Sequence, residues 1–221
     1  MTTSNATVKT VSKIDAQATE MQTKLVQNLE IRLDLHEEKS GKICTTLRAD
    51  IAKFKTDNGF AVIKACLKKG LKLDDFIATV AIADTDDNDK YLAVKAITKC
   101  RQFMQAVAQG SASKLDGYTD SIMRNLLVHK ALTVFECEQC LSGTMINEHT
   151  NKMRIDETKK IVAYKNSGAS TATTQASSSR MMLKMFNICA VEKGRKDDVI
   201  SFTDEKTALL MLDLYKLENN A

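Results

Sequence analysis

The sequence contains no proline and no tryptophan, and aromatic residues occupy only 5% of its 221 positions. Average proline usage of about 5% would give roughly eleven prolines. Because proline interrupts helices, its absence is typical of a chain of helices that end at glycines. The scarcity of aromatic rings argues against a sugar-binding or peptide-binding platform, which depends on many such rings.

Long apolar runs are missing as well. The runs present, such as residues 80–83, are far shorter than the ~18 residues needed to cross a bilayer. The N-terminus shows no basic cluster followed by an apolar stretch, so we expect neither a secretory signal nor a membrane partner. Six scattered cysteines in such a chain predict reduced, packed thiols. We therefore expect a soluble protein of the cytoplasm, or of the host cytoplasm if it is viral.

The residues that catalysis or a cofactor would need do not form a recognisable set. The chain has three histidines, no His-Glu-x-x-His sequence and no glycine-rich phosphate loop. Cys137 and Cys140 have the spacing of a zinc or redox pair, but no second such pair exists and two packed thiols are favoured. Residues 84–89 resemble a calcium loop without its central glycine or distant glutamate, which favours a solvated acidic loop. We expect no enzyme, no metal and no cofactor.

Helical spacing of apolar residues dominates the first half of the chain. It predicts a long helix from a cap at Ser12 to a stop near Gly41, which needs a partner helix or a place across a whole domain. Further helices are predicted over residues 43–54, 60–67, 74–80 and 91–107. Residues 57–59, Asp-Asn-Gly, indicate a turn between two of them.

The second half is predicted to contain a helix from Thr119 through Cys140 that ends near Gly143, and one that Ser178 or Ser179 caps and that runs through Cys189 to end at Gly194. Thr203 is predicted to cap the last helix, whose apolar side would consist of Leu209, Leu210, Leu212 and Leu217. Residues 199–202 favour a short strand. Residues 161–164 could finish a helix or form a strand, and helix is favoured. Residues 165–180 are small and polar, which predicts a mobile Ser/Thr-rich loop at 166–179.

These patterns predict a mainly α fold: a multi-helix, bundle-like domain with a long N-terminal helix and at most a small β element near the C-terminal third. The expected organisation is a flexible N-terminus at 1–11, a helical region at 12–110 and a helical C-terminal region at 111–221 that contains the loop. One continuous domain is the alternative.

Basic residues are concentrated in two segments. Residues 42–72 carry eight Lys or Arg against two Asp, and residues 152–196 carry ten against three acidic residues. Segregated charge of this kind suits a surface for a polyanion, although charge runs on helices are commonly just solvated faces. In the second segment the loop would offer phosphate donors, and Tyr164 and Phe186 could stack on unpaired bases. The predicted nucleic-acid-binding residues are Lys152, Arg154, Lys159, Lys160, Tyr164, Lys165, Arg180, Lys184, Lys193, Arg195 and Lys196.

The resulting hypothesis is a non-enzymatic nucleic-acid-binding protein, with single-stranded DNA as the favoured ligand. The last helix carries several acidic residues, which disfavours it as a reader of duplex DNA. Such a protein would be an accessory factor in transcription or replication, with a polymerase as a candidate partner, a homo-oligomeric state and a phage as a compatible source. The alternative is a self-assembling helical structural protein, such as a viral coat or scaffold protein, which would form large particles without nucleic acid.

Overall fold

The computed structural model describes residues 3–81, 87–142, 160–194 and 197–216. Side chains are described from Lys13 to Val80 and from Val94 onward within those ranges. These ranges contain nine α-helices, one short 3-10 helix and three strands. The chain divides into two compact units, Met1–Gly110 and Ser111–Ala221. None of the described helices is long and apolar enough to span a membrane.

The first unit consists of five helices. They are α1 (Thr3–Ser40), α2 (Thr45–Phe54), α3 (Asp57–Lys68), α4 (Leu73–Ala81) and α5 (Asp87–Gln109). The stops of α1, α3 and α5 follow the glycine prediction, with positive φ angles of 62°, 80° and 71° at Gly41, Gly70 and Gly110. A left-handed residue just past the last turn ends a helix, and glycine adopts that conformation without steric cost.

Helix α1 is longer than predicted. It begins at Thr3, so residues 3–11, expected to be flexible, are helical and Ser12 is not a cap. Its buried side chains repeat at spacings of three and four and pack against α2, α3 and α4. They are Ala18, Met21, Leu25, Leu29 and Leu33. The long helix therefore finds its partner helices within its own unit.

The turn predicted at residues 57–59 is instead the first turn of α3. Thr56 caps this helix, because its hydroxyl oxygen accepts a hydrogen bond from the Gly59 amide at 3.1 Å. A Cβ atom at Gly59 would lie 2.5 Å from the carbonyl oxygen of Phe54. Glycine is therefore needed at this position for the close approach of α2 and α3, and the Asp-Asn-Gly sequence serves packing instead of a hairpin.

The second unit surrounds a small antiparallel sheet with helices. After a 3-10 turn at Ala112–Lys114, its elements are α6 (Gly117–His129), β1 (Ala131–Thr133), α7 (Val134–Ser142), α8 (Ala169–Met185), β2 (Cys189–Glu192), β3 (Val199–Phe202) and α9 (Glu205–Lys216). The strand order is β1-β3-β2, with Leu132 opposite Ile200 and Val191 also opposite Ile200. The strand predicted at 199–202 is thus the central strand of the sheet.

The single helix predicted from Thr119 to Cys140 is broken in the middle. Lys130 ends α6 with a positive φ of 67°, and β1 follows. Helix α7 then begins with a capping box, in which the Thr133 hydroxyl oxygen accepts from the Glu136 amide and the Glu136 carboxylate accepts from the Thr133 amide. Pairing of β1 with β3 therefore overrides a helical pattern that is continuous in the sequence.

The mobile loop predicted at 166–179 is wrong for most of its length, because residues 169–185 form helix α8. Ser178 and Ser179, predicted as caps, lie inside the helix and are fully buried. Ser179 shares a 3.0 Å hydrogen bond with Thr119 of α6. Small side chains allow α8 to pack closely on α6 and α7, so a composition that resembles a loop belongs to a core helix. The helix also ends before Cys189, which begins β2.

Helix α9 forms where predicted but with a different cap and a different buried face. Asp204 caps it, since its carboxylate accepts from the Thr207 amide at 2.6 Å. Leu209 and Leu212, predicted to be inward, are 51% and 42% exposed. Leu217 lies outside the described residues. The fold class is confirmed: mainly α, with a long first helix and a small sheet near the C-terminal third.

Candidate nucleic-acid interface

Six of the eleven predicted binding residues lie in the described part of the chain. They are Lys160, Tyr164, Lys165, Arg180, Lys184 and Lys193. The other five lie outside the described residues: Lys152, Arg154, Lys159, Arg195 and Lys196. The six described residues occupy three places in the second unit, namely the segment before α8, helix α8 itself and the end of β2.

Residues 160–168, which we call the strap, run outside any helix or strand along α6. The helix predicted at 161–164 is therefore wrong. Asn125 of α6 holds the strap by two hydrogen bonds to one residue: its Nδ2 donates to the Val162 carbonyl at 2.7 Å and its Oδ1 accepts from the Val162 amide at 3.0 Å. A side-chain amide thus satisfies the backbone of Val162 as a neighbouring strand would.

Two further anchors fix the rest of the strap. The hydroxyl oxygen of Ser121 accepts from the Tyr164 amide at 3.0 Å, while its own proton goes to the Cys140 carbonyl at 2.5 Å. At the end of the strap, the amide and hydroxyl of Ser167 donate to the Leu141 carbonyl at 2.7 and 2.8 Å. The strap is therefore tied to both α6 and the last turn of α7.

Side chains of the strap alternate in exposure. Lys160, Val162 and Tyr164 are exposed, with Val162 at 46% and Tyr164 at 53%, whereas Ile161 and Ala163 between them are half-buried. Alternation of this kind is expected when an extended segment lies on a surface, since successive side chains point to opposite faces. A cation, an aliphatic side chain and an aromatic ring therefore share the outer face.

The Tyr164 ring is held by a cluster that the sequence did not predict. The guanidinium carbon of Arg124 lies 5.3 Å from the centre of the Tyr164 ring and 4.9 Å from that of Tyr215. Asp120 accepts from Arg124 Nε at 2.9 Å and from the Tyr215 hydroxyl at 3.0 Å. Each cation–π contact contributes on the order of 0.5–1 kcal/mol at an exposed site. The Tyr164 ring is thus held on one side by Arg124, while the residue keeps 53% of its surface exposed.

Lys165 follows directly in the chain and is exposed. Its ammonium nitrogen lies 5.9 Å from the centre of the Tyr118 ring, and its aliphatic stem passes 3.5 Å from the position that a Cβ of Gly117 would take. The stem therefore packs along the start of α6 while the charge remains in water, as long basic side chains commonly do. We call three exposed residues of this segment, Lys160, Tyr164 and Lys165, the strap surface.

Helix α8 contributes less free charge than predicted. Arg180 is half-buried, its Nη2 donates to Ser177 at 3.2 Å, and its Nε is buried without a hydrogen-bond partner among the described residues. The charge of Arg180 also acts on Glu138 of α7. Burial raises the pKa of the Glu138 carboxyl, and a hydrogen bond from Thr173 and the positive charge of Arg180 partly oppose that rise. Arg180 thus belongs partly to the α7–α8 packing.

The remaining predicted residues at α8 and after β2 are either exposed or buried in the core. Lys184 in the last turn of α8 and Lys193 after β2 are exposed. Phe186, considered above as a stacking residue, is only 2% exposed and lies in the core. Base stacking at Phe186 is therefore excluded, and Tyr164 is the better candidate.

The first basic segment, residues 42–72, lies in the other unit and is partly neutralised there. Three of its cations pair with acidic residues of α1: Arg48 with Glu37, Lys55 with Glu30, and Lys64 with Asp15. Arg48 and the Cys44 amide hold the pKa of the Glu37 carboxyl at about 2. The charge excess that is obvious in the sequence is thus smaller on the folded surface, which leaves the strap as the stronger candidate.

The cysteine pair is buried in the core of the second unit. Cys137 and Cys140 are fully buried, and burial raises the pKa of Cys140 to about 12 and that of Cys137 well above its usual value. Thiols in this state are poor nucleophiles and poor ligands. Among the described residues, no group of three or more His, Cys, Asp or Glu could hold a metal ion. Of the acidic loop predicted at 84–89, residues 84–86 lie outside the described residues; the prediction is wrong for residues 87–89, which form the start of α5.

No known protein family, curated protein or solved structure matches this chain. The functional assignment therefore rests on the geometry of the strap surface and on the chemistry of its residues.

Proposed function

We propose that this chain is a non-enzymatic protein that binds single-stranded nucleic acid, with DNA as the favoured ligand, through the strap surface. The observation that carries the proposal is the half-exposed Tyr164 ring, which the Ser121 and Arg124 contacts position and which the exposed cations Lys160 and Lys165 flank along the chain. An aromatic ring flanked by basic side chains is the usual arrangement for binding an unpaired strand, because the ring stacks on a base and the cations contact phosphates.

A single strand fits this surface better than a duplex does. The ring of Tyr164 needs a free base face, which a paired and stacked base does not offer. The last helix, α9, would be the candidate reader of a major groove, but Glu205 lies in its first turn and Asp213 pairs with Lys216 at its end. A recognition helix normally presents basic and amide side chains instead.

The alternative role of a self-assembling structural protein receives no support from α1. Its length suggested a need for a neighbouring molecule, but the apolar face of α1 from Ala18 to Leu33 is covered by α2, α3 and α4 of the same unit. The same contacts remove the main reason to expect a homo-oligomer. A single-strand binder of this kind would act as an accessory factor in replication or transcription, with a polymerase as a candidate partner and a phage as a compatible source.

The proposal is tested by substitutions on the strap. Stacking on one base contributes about 1–3 kcal/mol, so Tyr164→Ala should weaken binding of a labelled single-stranded 30-mer roughly 5- to 150-fold. Tyr164→Phe retains the ring and should stay close to wild type. Each phosphate contact to a single strand contributes about 0.7 to the slope of log K against log salt. Lys165→Gln should therefore lower that slope by about 0.7.

The control is Lys206→Gln, an exposed lysine of α9 in the same unit. It removes one positive charge at a position outside the strap. Its affinity should change less than that of Tyr164→Ala, and its salt slope should change less than that of Lys165→Gln. Fluorescence anisotropy at several salt concentrations measures both quantities. Wild-type affinity in Tyr164→Ala, or equal effects of Lys165→Gln and Lys206→Gln, would remove the strap from the proposed function.

A further inference from the structure

The first unit contains a cavity of about 280 Å³ that the proposed function does not use. It lies at the corner where α2 ends, α3 begins and α5 passes. Its lining residues are Lys53, Phe54, Thr56, Asn58, Gly59, Val62, Arg101 and Gln105. A cavity close to the usual size of a small-molecule site, with an apolar wall and a few polar side chains, has the general form of a ligand pocket.

Three hydrogen-bond acceptors at the cavity, on Asp50, Gln105 and Thr56, are already occupied. Asp50, 2% exposed, accepts from Arg101 Nε at 2.7 Å and from the Thr98 hydroxyl at 2.7 Å. Gln105 Oε1 accepts from Arg101 Nη1 at 3.2 Å. The Thr56 hydroxyl donates to the Lys53 carbonyl and accepts from the first turn of α3. The carboxylate of Asp50 is therefore already bound within the protein.

Some hydrogen-bond donors at the cavity, in contrast, have no acceptor among the described residues. Arg101 Nη2 and the amide nitrogen of Gln105 have no hydrogen-bond acceptor among the described residues. Lys53 is 57% exposed at the side chain and lies 4.0 Å from Asp50, at the limit of an ion pair. Asn58 is exposed at the rim. The lining holds two cations, Lys53 and Arg101, and no carboxylate, so it combines positive charge with these unoccupied donors.

We infer that this cavity binds the phosphate group of a phosphorylated molecule, with Lys53 and Arg101 as the charged contacts and Gln105 and Asn58 as neutral donors. A phosphate offers several acceptor oxygens and negative charge, which matches the surplus of donors and the residual positive charge. Phe54 and Val62 form an apolar wall suited to the body of a small organic phosphate. The inference does not depend on the strap, which lies in the other unit.

Two substitutions test the site without disturbing the fold. Lys53→Glu reverses a charge at an exposed side chain and should weaken binding at least tenfold. Asn58→Asp replaces an amide donor by a carboxylate in the first turn of α3, where negative charge favours the helix. This variant should bind more weakly while its thermal midpoint stays equal or rises, which separates a binding role from a structural one. Lys68→Glu is the control, because it makes the same charge reversal at an exposed lysine outside the cavity lining. Its affinity should stay within about twofold of wild type.

Titration calorimetry of the full chain measures binding, with inorganic phosphate and adenosine monophosphate as the first probes. Two sources of the phosphate are separated by comparing a 5′-phosphorylated with a 5′-hydroxyl oligonucleotide. If adenosine monophosphate binds more tightly than inorganic phosphate, and Lys53→Glu abolishes that binding, the ligand of the cavity is a small organic phosphate. A Lys53-dependent preference for the phosphorylated end assigns a nucleic-acid terminus. The inference is overturned if no probe binds saturably, or if Lys53→Glu and Lys68→Glu behave alike.

Discussion

Replacing Asn125 by alanine removes the side chain that holds the strap. Asn125 is only 2% exposed, and its amide makes both hydrogen bonds to the backbone of Val162 as well as one to the Ser121 carbonyl at 2.9 Å. The substitution leaves the ring of Tyr164 and the cations of the strap chemically unchanged. The substitution therefore tests whether binding of single-stranded nucleic acid requires the strap to be held in place, in addition to its side chains.

The size of the effect follows from the lost hydrogen bonds. A typical hydrogen bond contributes a net 0.5–1.5 kcal/mol, and a partner left unsatisfied costs more. Loss of the two bonds to Val162 should therefore reduce the free energy that holds the strap against α6 by about 2 kcal/mol. A loss of that size raises the equilibrium for local opening roughly 30-fold. The affinity for single-stranded nucleic acid should fall in proportion to the fraction of molecules that keep the strap attached, although no residue of the strap surface has been changed.

Hydrogen exchange followed by NMR measures this opening directly. The amides of Val162 and Tyr164, bonded to Asn125 and Ser121, should exchange about 30-fold faster in Asn125→Ala. Val128→Ala is the matched control, because Val128 lies on the same helix and is 69% exposed. It should leave exchange and stability within ~0.5 kcal/mol of wild type. Unchanged exchange in Asn125→Ala would show that these hydrogen bonds do not hold the strap.

Two further predictions concern the first unit and the thiols. Cys44 is the one cysteine of six that is not buried. A thiol reagent at pH 8 should therefore label about one thiol per native wild-type chain and no thiol in native Cys44→Ser. Labelling of several thiols in the native chain would contradict the burial of the other five. The fold lowers the pKa of Glu37 to about 2 from 4.5, chiefly through Arg48, so its contribution to stability is complete above pH 4.5 and is lost as the pH falls toward 2. The thermal midpoint of Glu37→Gln should therefore lie below wild type at pH 6, with the gap narrowing at pH 3; a gap independent of pH would exclude the ionised pair as its cause.

The elements that could be predicted from the sequence are those whose signal is local. The apolar stripe of α1 and the glycines at 41, 70 and 110 mark helix faces and stops by the residues themselves. Helix α8 was missed because serine, threonine and alanine resemble a loop in composition, while their role is to fit against α6. The break at Lys130 was missed because it depends on pairing of β1 with β3, some 70 residues further along the chain.

The candidate site shows the same division. Tyr164 and Lys165 stand out in the sequence as an aromatic residue next to a cation, and the structure exposes both. Arg124 was missed because its partners Tyr164 and Tyr215 approach it only after α6, the strap and α9 have packed. The only local signal was the spacing of Asp120 and Arg124, four residues apart on one helix. That spacing predicts an ion pair but not the two rings beside it.

The most direct measurement of the central claim is the anisotropy of a labelled 30-mer, single-stranded and duplex, titrated with the wild-type chain at low and moderate salt. The proposed function predicts saturable binding of the single strand, weaker binding of the duplex, and a logarithm of the association constant that falls linearly as the logarithm of the salt concentration rises. Absence of binding to both oligonucleotides would contradict it, as would equal binding of both. In the first case, sizing of the protein alone would then test the alternative of a self-assembling particle.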